Sequence, residues 1–141
     1  MSSVTLDQAE NIIDGALAYA ADVGASPLTV GVLDAGGHLV AFRRQDESGI
    51  LRPEIAIGKA YGALGFGLGS RSLSSKNPVF LAAVSAASGG HLVPVPGGVL
   101  IRSAGKIIGA VGISGDASGV DEAAAIAGIE VAGLTADPGD G

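Results

Sequence analysis

Charged side chains are the first candidates for chemistry in this sequence, because only 16% of its residues carry a charge. Lys59 stands out among them, since it lies within a predicted helix beside the apolar Ile57 and the aromatic Tyr61. A lysine close to an apolar helix face is partly desolvated, which lowers its pKa and suits it to act as a base or to bind an anion. Glu54, in the preceding turns, is its candidate partner. The alternative is a lysine whose stem packs on the helix while its ammonium group reaches water.

Glycine bends offer a second kind of candidate site. Pro96 leads into Gly97 and Gly98, where bare backbone lets a flat or carboxylate-bearing ligand approach the N–H groups. The segment 112–115 leads into Asp116 and a predicted helix start, which also attracts anions. Each bend has a purely structural alternative as a tight turn. Five further charged residues lie near predicted strand ends, helix starts or glycine turns: Asp34, Arg102, Asp116, Asp121 and Glu122.

The two histidines differ in their surroundings. His91 lies between Gly90 and an extended apolar run, so it is the better ligand candidate. His38 flanks a turn, which favours a surface position.

Several known motifs are absent. The segment 65–70 resembles a dinucleotide fingerprint, but it follows a helix rather than a strand and Ser70 stands where the third glycine belongs. No phosphate loop and no nucleophile-elbow serine is found. The sequence has no cysteine, which excludes a thiolate nucleophile and a cysteine-based metal site.

Composition limits the class of protein. The chain has 141 residues, enough for one domain, and 48% of them are apolar, which argues against disorder. A net charge of -6 argues against nucleic acid as a partner. The uncharged stretch 77–101 is broken by prolines and glycine pairs, so no membrane span is predicted. The first residues lack a basic n-region, so we expect a cytoplasmic protein.

The few charges also bear on assembly. They are too few to coat a monomer generously, so we expect a homo-oligomer that covers some apolar surface. The alternative is a monomer whose surface is rich in alanine, glycine and serine. Some of the 24 glycines lie inside predicted elements, and we expect these four to mark contacts with another subunit or a ligand: Gly58, Gly109, Gly112 and Gly128.

Local patterns predict an α+β fold with the order α-ββ-αα-ββ-α. A capping box of Thr5 and Gln8 starts the first helix, which stops at Gly24, and a second box of Ser118 and Asp121 starts the last. The other predicted elements are a hairpin of 28–33 and 38–44, helices over 54–64 and 80–87 joined by a loop at 70–76, and a hairpin of 99–102 and 106–113. The strand 106–113 is apolar on both faces and should be central. Hairpins separated by helices predict an antiparallel sheet in one domain, 1–135, followed by a frayed tail, 136–141.

Taken together, these segments resemble the GlcG/HbpS family of haem-binding-like proteins. The resemblance rests on residues 32–41, 57–60, 95–99 and 108–115 and on the pair Asp121 and Glu122. It implies a profilin-like α+β domain with a five-stranded antiparallel sheet, similar to the C-terminal domain of PduO cobalamin adenosyltransferases. It also implies dimers that build tetramers or octamers. Some members bind haem and some are linked to redox sensing, while others are encoded in catabolic operons.

The sequence departs from the family in two ways. No signal peptide of a secreted haem sensor is visible, and no histidine precedes His38, where PduO-like members carry one. His91 or His38 is then the candidate iron ligand. The candidate cations for haem propionates are Arg43, Arg44, Lys59 and Arg102.

Two functions follow as hypotheses. The first is a small-ligand binding protein, with haem or a similar tetrapyrrole as cofactor or ligand. Its predicted ligand-binding residues are Lys59, His91, Pro96, Gly97, Gly98, Arg102, Asp116 and Glu122. The second is a catabolic enzyme of proton-transfer, isomerase, lyase or hydrolase type that acts on a small organic acid. In it Lys59 or Glu54 is the base, and the N–H groups of the 97–98 bend hold an oxyanion. A third hypothesis is a purely structural oligomer without a pocket.

Overall fold

The first helix begins and ends where the sequence predicts. A computed structural model describes residues 2–140, and in it helix α1 (Leu6–Val23) starts with a complete capping box. The Gln8 N–H donates to Thr5 Oγ1 at 3.1 Å, and the Thr5 N–H donates to Gln8 Oε1 at 2.9 Å. Gly24 ends the helix in the left-handed conformation with φ of 68°. Both predicted signals are therefore confirmed.

The remaining elements follow the predicted order, with two additions. They are β1 (Thr29–Asp34), β2 (Leu39–Arg44), α2 (Arg52–Phe66), α3 (Ser70–Leu73), α4 (Pro78–Ala87), β3 (Gly98–Ser103), β4 (Lys106–Ser114), α5 (Ser118–Val131) and β5 (Thr135–Asp137). The short helix α3 lies in the predicted loop. No helix of residues 2–140 has the length and hydropathy needed to cross a bilayer.

The five strands form one antiparallel sheet in the order β2-β1-β4-β3-β5. Strand β4 lies at its centre, as its apolar pattern predicts. Helices α1 and α5 pack on one face, where Ile12 and Ile129 join the core. Helix α2 packs on the other face through Ala60 and Ala63. The α+β class and the sheet predicted for it are thus confirmed.

Two local predictions at the end of the chain are wrong. Helix α5 follows Ala117, and no side chain caps it; the Asp121 carboxylate instead accepts the Asp116 N–H at 2.9 Å, so the second capping box does not form. The tail predicted to fray from Ala136 begins with β5, which pairs with β3, because the edge of β3 offers it backbone partners. Beyond it, the Asp140 N–H donates to Ser72 Oγ at 2.7 Å. Gly141 lies outside the described residues.

The four glycines singled out in the sequence have a structural reason within the chain. A Cβ built on Gly112 would lie 1.8 Å from the Ala56 carbonyl oxygen, so only glycine lets α2 approach β4 this closely. Built on Gly128, it would lie 2.3 Å from the Ile12 carbonyl oxygen. Gly109 is similarly close to Leu33 and Gly58 to the Val93 side chain. Packing within the chain is therefore sufficient to explain these glycines, without a contact to another subunit or a ligand.

We expect Gly112→Ala to lower the free energy of unfolding by about 2–3 kcal/mol, because backbone must move to admit the methyl group. Urea unfolding followed by circular dichroism measures the change. Gly119→Ala is the matched control, since a Cβ there meets nothing within 4 Å and the residue lies in α5. Equal stability of the two variants would contradict the close approach of α2 to β4.

Candidate functional site

Lys59 is buried in the centre of α2, where its side chain is held by two partners. Its Nζ donates to the Ile113 carbonyl oxygen at 2.7 Å and to Asp121 Oδ2 at 3.2 Å. Lys59 is 2% exposed and Asp121 is 1% exposed. The desolvated lysine predicted from the sequence is confirmed, but Glu54 is not its partner. Glu54 lies exposed on the first turn of α2, and the partner is Asp121 on α5.

Burial dominates the electrostatics of this pair. It lowers the pKa of the Lys59 ammonium group, against the attraction and hydrogen bond of Asp121, and the charge of Arg52 lowers the pKa further. Burial raises the pKa of the Asp121 carboxyl, against its hydrogen bond from the Asp116 N–H and the charge of Lys59. The opposite charges of the two groups compensate each other, but the apolar surroundings disfavour the ionised form of both.

The glycine bend at 97–98 packs directly against Lys59. A Cβ on Gly97 would lie 2.7 Å from Lys59 Nζ, and one on Gly98 would lie 2.2 Å from the Lys59 carbonyl oxygen. Gly97 also has φ of 126°, which side-chain-bearing residues rarely adopt. Pro96, half-buried, leads into the bend. The two glycines therefore leave the space that the lysine occupies.

Ser70 organises this bend and was missed by the sequence analysis. Its Oγ donates to the Val95 carbonyl oxygen at 2.6 Å and accepts the Gly98 N–H at 2.7 Å. The Gly98 N–H is therefore already bonded, so it is not free for the oxyanion that the enzyme hypothesis assigns to it. No local pattern in the sequence indicates this contact, because Ser70 and Gly98 are 28 residues apart.

The start of α5, predicted to attract anions, is served by carboxylates of the chain itself. Asp116 accepts the N–H groups of Ser26 at 2.8 Å and of Ala117 at 2.6 Å. These bonds, the Ser26 bond first, lower the pKa of the Asp116 carboxyl. Glu122, one residue after Asp121, forms an ion pair with Arg71, whose Nε donates to its Oε2 at 3.1 Å. Both acidic residues therefore have structural partners.

His91 lies on the outer side of α2, away from the buried pair, and lines a cavity of about 330 Å³. The cavity is bounded by Glu54, Ile57, Gly58, Gly89, Gly90 and His91. The His91 ring tilts over Tyr61, with ring centroids 5.6 Å apart. The segment that carries His91 sits on α2 because Gly58 leaves room for Val93, whose N–H donates to the Gly58 carbonyl at 3.2 Å. Glu54 and His91, predicted separately, are brought to one cavity.

The hydrogen bonding of His91 defines its tautomer. Nδ1 contacts the Ser88 carbonyl oxygen, which can only accept, so Nδ1 carries the proton. In the neutral imidazole, Nε2 then presents a lone pair. A histidine that donates one ring N–H to a backbone carbonyl while the other nitrogen is unprotonated has the usual form of a metal-ligating imidazole.

His38 has the same tautomer in a different setting. Its Nδ1 donates to Asp34 Oδ1 at 3.1 Å, and its side chain is 81% exposed at the hairpin turn. The backbone N–H of His38 bonds the same carboxylate and lowers the pKa of Asp34. The predicted surface position of His38 is correct.

The other predicted cations lie neither at the Lys59–Asp121 pair nor at the His91 cavity. Arg102 donates to Asp137 Oδ2 at 2.8 Å, near the end of β3 that is opposite the 97–98 bend. Arg43 donates to Asp14 at 2.7 Å and to Glu10 at 2.8 Å on α1. Arg44 donates to the Ser48 carbonyl at 2.8 Å. With Lys59 buried, each candidate propionate cation already has a partner within the chain.

The fold and the accessible imidazole define a small α+β domain that presents a candidate ligand site on the outer side of α2. Comparison with known families identifies the group. The family model described as haem degrading protein HbpS-like matches residues 4–130. The chain belongs to the HbpS-like family, as its sequence resemblance predicts.

Solved structures share the fold over most of this chain. The PduOC–haem complex has a TM-score of 0.85 at 22% identity and covers 94% of this chain and 96% of its own. ORFY from Klebsiella pneumoniae has a TM-score of 0.84 at 20% identity, covering 94% and 92%. HbpS has a TM-score of 0.79 at 23% identity, covering 93% and 91%. At these identities the likeness shows the fold alone.

A sequence relative comes from Citrobacter freundii. It is a 15.0 kDa protein encoded in the dhaT–dhaS intergenic region, 26% identical over 117 residues that span 82% of each protein.

Removing either member of the buried ion pair should destabilise the fold strongly. We expect Lys59→Met and Asp121→Asn each to lower the free energy of unfolding by about 3–5 kcal/mol, because the remaining charge is buried without its partner. The double variant should lose less than the sum of the two changes. Urea unfolding of all four proteins in a double-mutant cycle measures this coupling. Additive losses would contradict a direct interaction.

The pH dependence gives a second check of the same pair. The folded pKa of Lys59 lies below its ordinary value of 10.5, so this group adds stability as pH rises from the folded pKa towards 10.5. Asp121→Asn removes the attraction that holds the Lys59 pKa up. The deficit of Asp121→Asn relative to the parent protein should therefore shrink as the pH rises towards 10.5. The deficit of Lys59→Met, which lacks the titrating group, should not shrink.

Proposed function

We propose that this protein binds a small ligand through His91, with haem as the first candidate. The observation that carries the proposal is the Nδ1 hydrogen bond to the Ser88 carbonyl, which leaves Nε2 available beside a cavity. Membership of the HbpS-like family and the fold shared with the PduOC–haem complex support it.

The residues around His91 suit a flat group that contains a metal. Imidazole nitrogen is a common ligand of haem iron. The Tyr61 ring lies beside the imidazole, and Gly58, Gly89 and Gly90 bring bare backbone to the cavity. Ile57 adds an apolar wall. When bound, haem supplies an iron centre for redox or ligand chemistry, while the chain supplies one nitrogen donor and the walls that orient the ring.

The proposal differs from the sequence-based prediction in its set of binding residues. Lys59 and Asp121 are buried, so a ligand does not reach them. Asp116, Arg102 and Glu122 each have a partner within the chain. They serve the fold in this proposal. His91 is retained from the predicted set, and Glu54, predicted only as an acid–base group, joins it at the cavity wall.

Haemin titration tests the proposal. The parent protein should show a saturable shift of the Soret band, and His91→Ala should weaken binding by at least about tenfold, the loss of one good contact. The matched control is His38→Ala, because both histidines have the same tautomer but only His91 lines the cavity.

Two outcomes would contradict the proposal. Absence of saturable binding by the parent protein would remove haem as the ligand. Loss of binding in His38→Ala with retention in His91→Ala would move the site to the hairpin turn.

A second candidate function rests on the same cavity. Glu54 and His91 both line it, and a carboxylate paired with an imidazole can transfer protons to and from a small organic acid. In this alternative His91 replaces Lys59 as the base, because Lys59 is inaccessible. The gene position of the Citrobacter freundii relative, beside dhaT, fits the catabolic setting that the family resemblance implies. Screening the parent protein against small hydroxy and oxo acids tests it, with Glu54→Gln required to abolish any turnover.

We also propose that the protein assembles into homo-oligomers through the outer part of the sheet. Strand β2 lies at the edge of the sheet. Its residues Leu39 and Phe42 lie next to Gly31 of β1, on the face of the sheet that packs against α2. Both side chains remain exposed. Exposed apolar groups on a paired strand are typical of a surface covered by another copy.

Sedimentation velocity measures this assembly. The parent protein should sediment as an oligomer, and Leu39→Glu with Phe42→Glu should shift it towards the monomer, because the charges oppose burial. Val23→Glu is the control, since Val23 is comparably exposed near the end of α1. A parent protein that sediments as a monomer would contradict the assembly.

A further inference from the structure

An apolar cleft lies between α2 and α4, next to the His91 cavity but with different walls. Its volume is about 350 Å³. Its lining residues are Tyr61, Gly62, Gly65, Phe66, Phe80, Val84, Ser88 and Leu92. The rings of Phe66 and Phe80 meet edge to face with centroids 6.2 Å apart. The volume is within the usual range for small-molecule pockets, about 300–1,000 Å³.

Gly65 is the feature that packing of the chain does not explain. Three glycines of α2 face the segments outside the sheet, and each costs up to about 1 kcal/mol relative to alanine in a helix. A Cβ on Gly58 would meet Val93 at 2.6 Å, and one on Gly62 would meet Leu92 at 2.3 Å. A Cβ on Gly65 would meet nothing within 4 Å, and Gly65 lines the cleft. The bare helix surface at Gly65 therefore keeps the cleft open.

The lining determines the chemistry of an occupant. None of the described residues that line the cleft is charged. The Ser88 hydroxyl donates to the Ser85 carbonyl at 2.9 Å and accepts the His91 N–H at 3.1 Å, so it is already engaged. A charged group buried in the cleft would lose hydration without a partner, which disfavours it relative to a neutral one.

We infer that the α2–α4 cleft is a separate binding site for a neutral aromatic molecule of two or three rings. A cavity of about 150 Å³ suffices for benzene, so this volume accommodates a larger ring system. Phe66, Phe80 and Tyr61 supply ring faces and edges against which such a molecule packs. The inference stands apart from haem binding, which uses His91 and a cavity that shares no lining residue with this cleft.

A matched pair of fluorescent probes tests both the site and the ligand class. N-phenyl-1-naphthylamine is neutral and aromatic, and 1-anilinonaphthalene-8-sulfonate is the same ring system with a negative charge. We expect saturable binding of the neutral probe and at least about tenfold weaker binding of the sulfonate. Equal or tighter binding of the sulfonate would overturn the neutral class.

Gly65→Leu tests the location, because its Cβ meets nothing within 4 Å and the rest of the new side chain occupies space in the cleft. The neutral probe should bind at least about tenfold more weakly to this variant. Gly119→Leu is the matched control, a helical glycine that also meets nothing within 4 Å and does not line the cleft. Phe80→Ala, which removes a half-exposed wall, should also weaken the probe.

The remaining outcomes each decide the inference. Unchanged haemin binding by Gly65→Leu supports two separate sites, whereas joint loss of haemin and probe binding would make the cleft part of the haem site and overturn the inference. Unchanged probe binding together with a smaller sedimentation coefficient would show that the cleft is a contact between copies. Probe binding that survives in the His91→Ala variant separates this inference from the proposed function.

Discussion

The ion pair of Lys59 and Asp121 joins three parts of the molecule at one buried point. Lys59 lies on α2, Asp121 on α5, and the Ile113 carbonyl that accepts the second lysine hydrogen bond lies near the end of β4. Transferring two charges from water costs several kcal/mol each, and only close, fully bonded geometry offsets that cost. The positions of α2 and α5 relative to β4 are therefore strongly constrained at this point.

That constraint explains where glycine is needed. Gly97 and Gly98 leave space above the lysine, and Gly112 lets the backbone of α2 lie against β4. A side chain at any of these positions would separate α2 from the sheet and lengthen the hydrogen bonds of Lys59. The high glycine content of the chain is thus partly the consequence of burying one lysine near a sheet.

The side chains that a ligand can reach therefore lie on the outer side of α2. With its inner face against the sheet, α2 offers Glu54 and Tyr61 outward, and the segment carrying His91 packs over Gly58 and Gly62. Lys59, the residue that looks most reactive in the sequence, serves the fold. His91, which has no charged neighbour in the sequence, lies at the cavity.

Local signals in the sequence were sufficient for most of the elements but not for their contacts. The capping box at Thr5, the stop at Gly24 and the two-sided apolar pattern of β4 each depend on neighbouring residues, so they can be predicted from a single sequence.

Strand β5 is only three residues long and exists because β3 has a free edge. The partner of Lys59 is 62 residues away, and Glu54 was the closer but wrong choice because helical spacing alone says nothing about α5. The same reasoning applies to the glycines of α2. The predicted helix ends before Gly65, whereas α2 continues to Phe66, and only the packing separates Gly58 and Gly62, which admit Val93 and Leu92, from Gly65, which faces open space. Tyr61 lines the α2–α4 cleft and its ring packs beside His91, which lines the other cavity, so the packing of this segment on α2 also decides how close the two cavities lie.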